Sequence, residues 1–137
     1  MPEVMSFIIS EGVRRENIGI AKSADWIIGP VQILSPFSIP SNYSFFTTLA
    51  IYEINESEII KLMFKSPDGE IVYNTTDIPL SNIEHGNVPE KYRSVVFSFD
   101  IRNMHLKEEG IYTAEIFVDD VLIGAYKIPV CVLENQT

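Results

Sequence analysis

Short apolar runs rich in Ile, Val, Phe and Tyr recur along the 137-residue chain, with turn-forming residues between them. Several runs alternate apolar and polar positions with a period of two, which is typical of half-buried strands. No apolar repeat with the helical period is sustained, so we expect little helix. Internal repeats and Pro/Gly/Ser-rich linkers are absent from the sequence. The pattern therefore predicts one all-β domain over residues 1–137.

Two segments carry the clearest strand pattern. Residues Ser44–Glu53 have apolar side chains on both faces, which predicts a central strand. Residues Tyr92–Arg102 alternate well, with Ser94, Ser98, Asp100 and Arg102 on the polar face, which predicts a half-buried strand. The apolar face of the second segment consists of Val95, Phe97, Phe99 and Ile101.

Two hairpins are predicted from their turn residues. Ser66-Pro67-Asp68-Gly69 separates the strand segments Glu58–Lys65 and Glu70–Asn74, and proline followed by glycine is favourable turn chemistry. Asp119-Asp120 joins Ile111–Val118 directly to Val121–Val132, which predicts a tight final hairpin. Pro129 predicts a free edge or a bulge in the last strand.

The first third of the chain is less regular. Val4–Ile9 is predicted to be the opening strand, followed by a polar connection over residues 11–16. Extended pieces are expected at Ile18–Ile20 and Asp25–Ile28, and Gly29-Pro30 then predicts a bulge or a switch between sheets. Pro36 to Pro40 predicts an extended edge or crossover, as in a Greek key.

Two further segments are expected to lack strands. Thr75–Lys91 is polar and contains two prolines, so it is predicted to be the longest loop. Asn103–Gly110 is predicted to form a single helical turn before the next strand begins.

The segment Gly110-Ile111-Tyr112 resembles the corner that leads into the penultimate strand of immunoglobulin-like domains. The resemblance implies that Tyr112 packs inward and returns its hydroxyl to nearby backbone. With the hairpins and the crossover, the chain is similar to an uncharacterised family of small bacterial and phage-encoded proteins. The family implies an immunoglobulin-like antiparallel β-sandwich with Greek-key topology and about 7 to 9 strands.

Charge and cysteine content narrow the function classes. Lys and Arg number 10 against 19 Asp and Glu, and the resulting net charge of −9 disfavours nucleic-acid binding. The single cysteine, Cys131, excludes an internal disulfide and suits a reducing compartment. No apolar run approaches the length that spans a bilayer, and the N-terminus lacks the features of a secretory signal. We therefore expect a cytoplasmic protein without membrane association.

Catalytic and cofactor motifs are not apparent in the sequence. The two histidines, His85 and His105, are too few for a multi-histidine metal site, and the dispersed glycines form no phosphate-binding loop. The acidic turns at Asp119-Asp120 and Asp68/Glu70 lack the spacing of a dedicated calcium loop, so they are interpreted as ordinary turns. We expect no cofactor, no metal and no enzymatic activity.

The leading hypothesis is a non-enzymatic protein-protein interaction module, such as a phage or bacterial accessory or anti-defence factor. Its partner, or a second copy, would pair with an edge strand at Phe37–Ile39 or Val121–Val132. The candidate interaction surface comprises Trp26, Phe37, Ile39, His85 and Tyr92.

Two alternative interpretations accompany this hypothesis. For Trp26, burial beside Ile27 and Ile28 is favoured over exposure, and covering the open end of the sandwich is the favoured role of Phe37 and Ile39. The alternative function is carbohydrate or small-ligand binding by Trp26, Tyr43, Tyr73 and Tyr92 lining one face. An enzyme would need a pocket that gathers Asp100, His105 and Glu109.

Overall fold

The computed structural model describes residues 2–19, 22–54, 58–75, 77–79, 89 and 92–133. Within these residues the chain forms nine strands and no α-helix. The strands are β1 (Glu3–Gly19), β2 (Lys22–Val31), β3 (Ser41–Tyr52), β4 (Ile59–Lys65), β5 (Ile71–Asn74), β6 (Ile78–Pro79), β7 (Ser94–Leu106), β8 (Gly110–Val118) and β9 (Val121–Val130).

The strands form two antiparallel sheets packed face to face. Sheet A has the order β2-β1-β3-β7, and sheet B has the order β5-β4-β8-β9 with β6 paired to β4. Strands β3 and β4 follow one another in the chain but belong to different sheets, so the connection crosses the sandwich. The all-β class and the two-sheet sandwich are confirmed. The strand count lies within the predicted range.

Strand β3 occupies the centre of sheet A because both of its faces are apolar. It pairs with β1 through Phe7 opposite Leu49, and with β7 through Phe97 opposite the same leucine. Leu49 and Ile51 are fully buried, and Ala50 between them lies on the opposite face of the strand. The predicted central strand is confirmed.

The core lies between the two sheets and is almost entirely aliphatic and aromatic. Phe64 of β4 packs edge-on against Phe45 of β3, with ring centroids 5.7 Å apart. Phe7 of β1 stacks on Tyr126 of β9 at 4.9 Å. These contacts join sheet A to sheet B and are the kind of close interior packing that stabilises a sandwich.

Both predicted hairpins are present. Gly69 has a φ of 87°, as the turn after Pro67 requires. Asp119 and Asp120 both have positive φ, at 49° and 63°, which is the backbone of a two-residue type I′ turn. Aspartate tolerates this region better than most residues, which explains why the turn contains no glycine.

Two strands extend further than the sequence pattern indicates. The predicted polar connection over residues 11–16 is wrong: β1 continues to Gly19 and pairs with β2 as a long hairpin. The predicted helical turn after Asn103 is also wrong, because β7 continues to Leu106. Asn103 has a φ of 55°, and its N–H donates to Ser44 Oγ at 3.0 Å. The local register shift there returns Met104 and Leu106 to the core.

The crossover between β2 and β3 is anchored on sheet B at one point. Leu34 is fully buried, its N–H donates to the Pro129 carbonyl at 3.0 Å, and its carbonyl accepts from Cys131 N–H at 3.2 Å. Residues 35–40 then return irregularly to sheet A, so Phe37–Ile39 is a crossover and not an edge strand. Strand β9 is the edge of sheet B, but the crossover contacts its end at Pro129.

The bulge or sheet switch predicted at Gly29-Pro30 is wrong. Gly29 has a φ of 65°, yet β2 continues through both residues to Val31 in sheet A, and its register with β1 does not shift there. The described part of the predicted loop after Thr75 contains the short strand β6, while residues 80–88, which include His85, lie outside the described residues.

Candidate functional site

The corner between β7 and β8 is held by its own side chains and by the turn of the β4–β5 hairpin. Tyr112 is fully buried, and its hydroxyl donates to the Glu108 carbonyl at 2.8 Å. Lys107 forms ion pairs with Asp68 at 2.9 Å and with Glu70, which ties this corner to the β4–β5 turn. The tyrosine corner implied by the sequence resemblance is confirmed, and its role is to hold the fold together.

The charges of this corner shift two pKa values. Hydrogen bonds from Ser66 and Lys107 lower the pKa of Asp68 to about 2 from an ordinary value of 3.8. Hydrogen bonds to Glu70 and Asp68 raise the pKa of Lys107 above its usual value. Both carboxylates are therefore occupied by a cation of the chain itself, which leaves them poorly suited to bind a metal.

Asp68 should make stability depend on pH in the acid range. Because its folded pKa lies below its unfolded value, Asp68 stabilises the fold above about pH 4 and loses that contribution as pH falls towards 2. We expect urea unfolding midpoints to fall more steeply between these pH values in the wild-type protein than in Asp68→Asn. Glu109→Gln, outside this cluster, serves as the control and should retain the wild-type slope. Equal slopes in all three proteins would contradict the prediction.

The acidic turns do not converge on one calcium site. Asp119-Asp120 lies at one end of β8, and Asp68 lies beside the other end of β4 and β8, about 20 Å away by strand rise. Asp119 Oδ1 accepts from Ile59 N–H at 2.9 Å, as in an ordinary turn. Among the described residues, no group of three or more His, Cys, Asp or Glu side chains is arranged to hold a metal ion.

The residues considered for an enzyme pocket are engaged separately. Asp100 accepts from Arg102 Nε at 2.9 Å, and His105 Nδ1 donates to Asn42 Oδ1 at 3.2 Å. Glu109 Oε2 accepts from Val132 N–H at 3.2 Å. Asp100 and His105 are both exposed and lie about 16 Å apart along β7. The three side chains therefore do not form one catalytic group.

The candidate interaction residues occupy different environments. Trp26 is 51% exposed and Phe37 is 92% exposed, so the favoured burial of Trp26 and the covering role of Phe37 are wrong. Ile39 is partly buried and packs against the core, which fits the covering role. Tyr92 is 65% exposed next to β7. His85 lies outside the described residues, so its place on the surface stays a prediction.

The burial prediction for Trp26 fails because β2 is an edge strand on a hairpin that extends beyond β3. Strand β1 pairs with β3 only as far as Ser10, and beyond this residue it pairs only with β2 in the described structure. In the described part of the chain, Trp26 and Ile28 therefore lie on the outer face of this hairpin and are each 51% exposed, whereas Ile27 faces the opposite side. Sequence pattern alone does not distinguish such a hairpin from a buried strand.

The outer face of this hairpin carries an exposed apolar surface, here called the hairpin patch and defined as Trp26, Ile28 and Pro30. Register pairs place Arg14 beside Trp26 and Gly12 beside Ile28 on this same face. Arg14 Cζ lies 5.8 Å from the Trp26 ring centroid, within cation–π range. The patch is therefore apolar in its middle with a cation beside it.

The outer faces of both sheets carry charged side chains. Sheet B presents Lys61, Lys65, Glu115 and Lys127, and Lys65 pairs with Glu115 at 2.8 Å. The outer face of sheet A consists mainly of small and apolar residues beside the hairpin patch, of which Ser10 and Thr48 are buried. It also carries Asp100, which lies opposite Phe46 and forms an ion pair with Arg102 at 2.8 Å.

A cleft of about 600 Å³ lies on the other face of the same hairpin, at the end of the sandwich, and is here called the end cleft. It is bounded by Glu11 of β1, by residues 35–38 of the crossover and by residues 41–44 at the start of β3. Phe37 and Tyr43 supply its aromatic surface. Ser41 Oγ is buried in its wall, without a hydrogen-bond partner in the described structure.

Glu11 is positioned by a glycine in the neighbouring strand. A β-carbon added at Gly29 would lie 3.0 Å from Glu11 Oε2 and 3.4 Å from Glu11 Cβ. Because Gly29 has no side chain, Glu11 can lie against β2 at this position. Sequence reasoning missed Glu11 and Ile28 as surface residues, whereas Tyr43 was among the residues considered for ligand binding. The available signal in the sequence was Gly29-Pro30, which interrupts an apolar run. This pair indicates an unusual backbone conformation in β2, but it does not indicate that Glu11 lies beside Gly29.

The aromatic residues considered for sugar binding do not share a face. Tyr73 packs against Phe64 at 6.1 Å between ring centroids, and Tyr43 contacts the core. Trp26 faces outward from sheet A. These positions provide no continuous aromatic platform.

The strand order, the crossing connection and the tyrosine corner define an immunoglobulin-like β-sandwich domain, a fold that is generally non-catalytic. Residues 26–131 match the model of the DUF6941 family, described as a family of unknown function. The chain belongs to this family. No curated protein matches the sequence.

Two solved structures are similar to this chain at low sequence identity. The C-terminal domain of wzt aligns with a TM-score of 0.50 and 13% identity over 96% of this chain and 74% of that one. An immunoglobulin-like protein from Pseudomonas aeruginosa aligns with a TM-score of 0.44 and 14% identity, covering 96% of this chain and 97% of the other. The likeness to the first structure concerns the fold alone. Within the described residues, no helix is long and apolar enough to cross a membrane.

Proposed function

We propose that this domain is a non-enzymatic interaction module that binds a protein partner at strand β2 and the hairpin patch. The observation that carries the proposal is the 51% exposure of both Trp26 and Ile28 on an edge strand. Tryptophan buries a large area and is enriched where binding energy concentrates, while an edge strand offers backbone groups for pairing.

Strand β2 is distinguished from the other edge strands by its exposed tryptophan. It is ten residues long, whereas β5 has only four. Prolines and bulges hinder pairing at three edges, since β2 contains Pro30, β9 contains Pro129 and β7 is bulged at Asn103. Strand β9 is in addition covered at Pro129 by Leu34. The exposed ring of Trp26, and not a freer backbone, therefore favours β2.

The partner of this surface is expected to be a different protein. A net charge of −9 on each chain disfavours the close approach of two copies through long-range repulsion. Self-association through β2 is the competing form of the same proposal. A cytoplasmic location and a bacterial or phage origin stay predictions, as does a role as an accessory or anti-defence factor.

A double substitution on β2 provides the test. Trp26→Ala/Ile28→Ala should reduce capture of specific partners from a lysate of the source cell by about tenfold or more, as expected when interface anchors are lost. Ile71→Ala/Ile111→Ala removes comparably exposed side chains from sheet B and should leave capture unchanged. Light scattering on the wild-type protein should show a monomer. A dimer that the β2 variant dissociates would instead support self-association.

The proposal fails if the two double variants capture the same proteins in the same amounts while both remain folded by circular dichroism. It also fails if the wild-type protein is monomeric and captures nothing specific.

A further inference from the structure

The end cleft combines one carboxylate with exposed aromatic surface and several neutral hydrogen-bonding groups. Glu11 is the one charged residue among those that line it in the described structure. Ser35, Ser38, Ser41, Asn42 and Ser44 supply hydroxyl and amide groups, and Phe37 and Tyr43 supply rings. A volume of about 600 Å³ lies within the range of small-ligand and side-chain pockets.

We propose that the end cleft binds an arginine side chain presented by a peptide segment of another protein. This site is separate from strand addition at β2 and does not depend on it, because the cleft and the hairpin patch lie on opposite faces of the β1–β2 hairpin.

The charge of the occupant follows from the lining. A single carboxylate in an otherwise uncharged cleft favours a cation, and the net charge of −9 adds long-range attraction for a basic segment. Glu11 lies against Gly29, which restricts the conformations of its side chain before a ligand binds. Binding therefore costs less side-chain conformational entropy than it would for an unconstrained glutamate.

The aromatic side chains that line the cleft favour a planar cation. A guanidinium group is planar, stacks on aromatic faces and donates two parallel hydrogen bonds to one carboxylate. Phe37 is 92% exposed at the cleft and is therefore available for such stacking. Lysine offers the same charge without the planar fork, so arginine fits this lining better.

The test uses four acetylated and amidated pentapeptides that differ only at the central residue, which is arginine, lysine, citrulline or glutamate. Binding to the full chain is followed by amide chemical shifts in NMR titrations. The arginine peptide should bind most tightly and shift residues 35–38 and 41–44. Citrulline, which keeps the shape but lacks the charge, should bind about tenfold more weakly, as expected for loss of a charge-assisted hydrogen bond.

Variants identify the groups responsible. Glu11→Gln should weaken the arginine peptide about tenfold and leave the citrulline peptide unchanged. Phe37→Ala should weaken arginine binding about threefold to tenfold through loss of stacking. Glu109→Gln is the control for removal of a negative charge elsewhere and should bind like the wild-type protein.

Several outcomes would overturn the proposal. These are equal binding of the arginine and citrulline peptides, shifts confined to residues outside the cleft, no saturable shifts, or an unchanged affinity in Glu11→Gln. The Trp26→Ala/Ile28→Ala protein should bind the arginine peptide like the wild type. Failure at the cleft is thereby distinguished from failure of the β2 proposal.

Discussion

Phe64→Ala is expected to lower the free energy of unfolding by about 4 kcal/mol. Phe64 is fully buried and contacts Phe45 at 5.7 Å and Tyr73 at 6.1 Å, both edge-on, so its ring joins β3, β4 and β5. Its removal eliminates buried apolar area and leaves a cavity that rigid neighbouring strands fill poorly. Urea unfolding followed by fluorescence and circular dichroism measures the difference.

Phe37→Ala is the matched control for this substitution. It removes the same atoms from a ring that is 92% exposed, so it should change the free energy of unfolding by less than about 0.5 kcal/mol. A loss below about 1 kcal/mol for Phe64→Ala, or similar losses for the two variants, would show that the core is not packed around Phe64.

The strands of the core were predictable because their sequences carry a two-residue period over several positions. The segment Ser44–Glu53 is apolar on both faces, and a strand of this kind needs neighbours on either side and a second sheet against one face. The structure gives it that place in β3. Turn chemistry was equally informative, since Pro67-Asp68-Gly69 and Asp119-Asp120 both form the expected reversals.

The N-terminal hairpin was not predictable because its two strands are paired along residues whose sequence does not show the alternation typical of strands. Residues 11–16 are polar, which normally indicates a connection, but hydrogen bonds to β2 keep them extended. The same feature explains why Trp26 was expected in the core. Its apolar neighbours resemble a buried strand, whereas the position of the hairpin at the edge of sheet A leaves its outer face uncovered.

The end cleft could not be deduced because its lining comes from three distant segments. Glu11, the crossover and the start of β3 meet only after Leu34 fixes the crossover on β9. Single residues such as Phe37 were recognisable as candidates. The partner carboxylate was not, because nothing local in the sequence links position 11 to positions 37 and 43.

The second large effect is expected at Gly110, where the tyrosine corner meets the β4–β5 turn. Gly110 has a φ of 143°, and a β-carbon there would lie 2.8 Å from Pro67 Cγ. Gly110→Ala therefore combines an unfavourable backbone conformation with a steric overlap against a rigid ring. We expect a loss of about 3 kcal/mol in the free energy of unfolding.

Two further variants separate these contributions to the loss at Gly110. Gly69→Ala places a methyl at a φ of 87° with nothing within 4 Å, so it reports the backbone cost alone, about 1 kcal/mol. Pro67→Ala/Gly110→Ala removes the contact with Cγ at 2.8 Å and keeps only the milder contact with Cβ at 3.3 Å. The double variant should therefore be more stable than the sum of the single substitutions predicts, by about 1 kcal/mol or more. Strict additivity in this cycle would mean that Pro67 does not restrict Gly110. The glycine of the Gly110-Ile111-Tyr112 motif would then be required only for its backbone conformation.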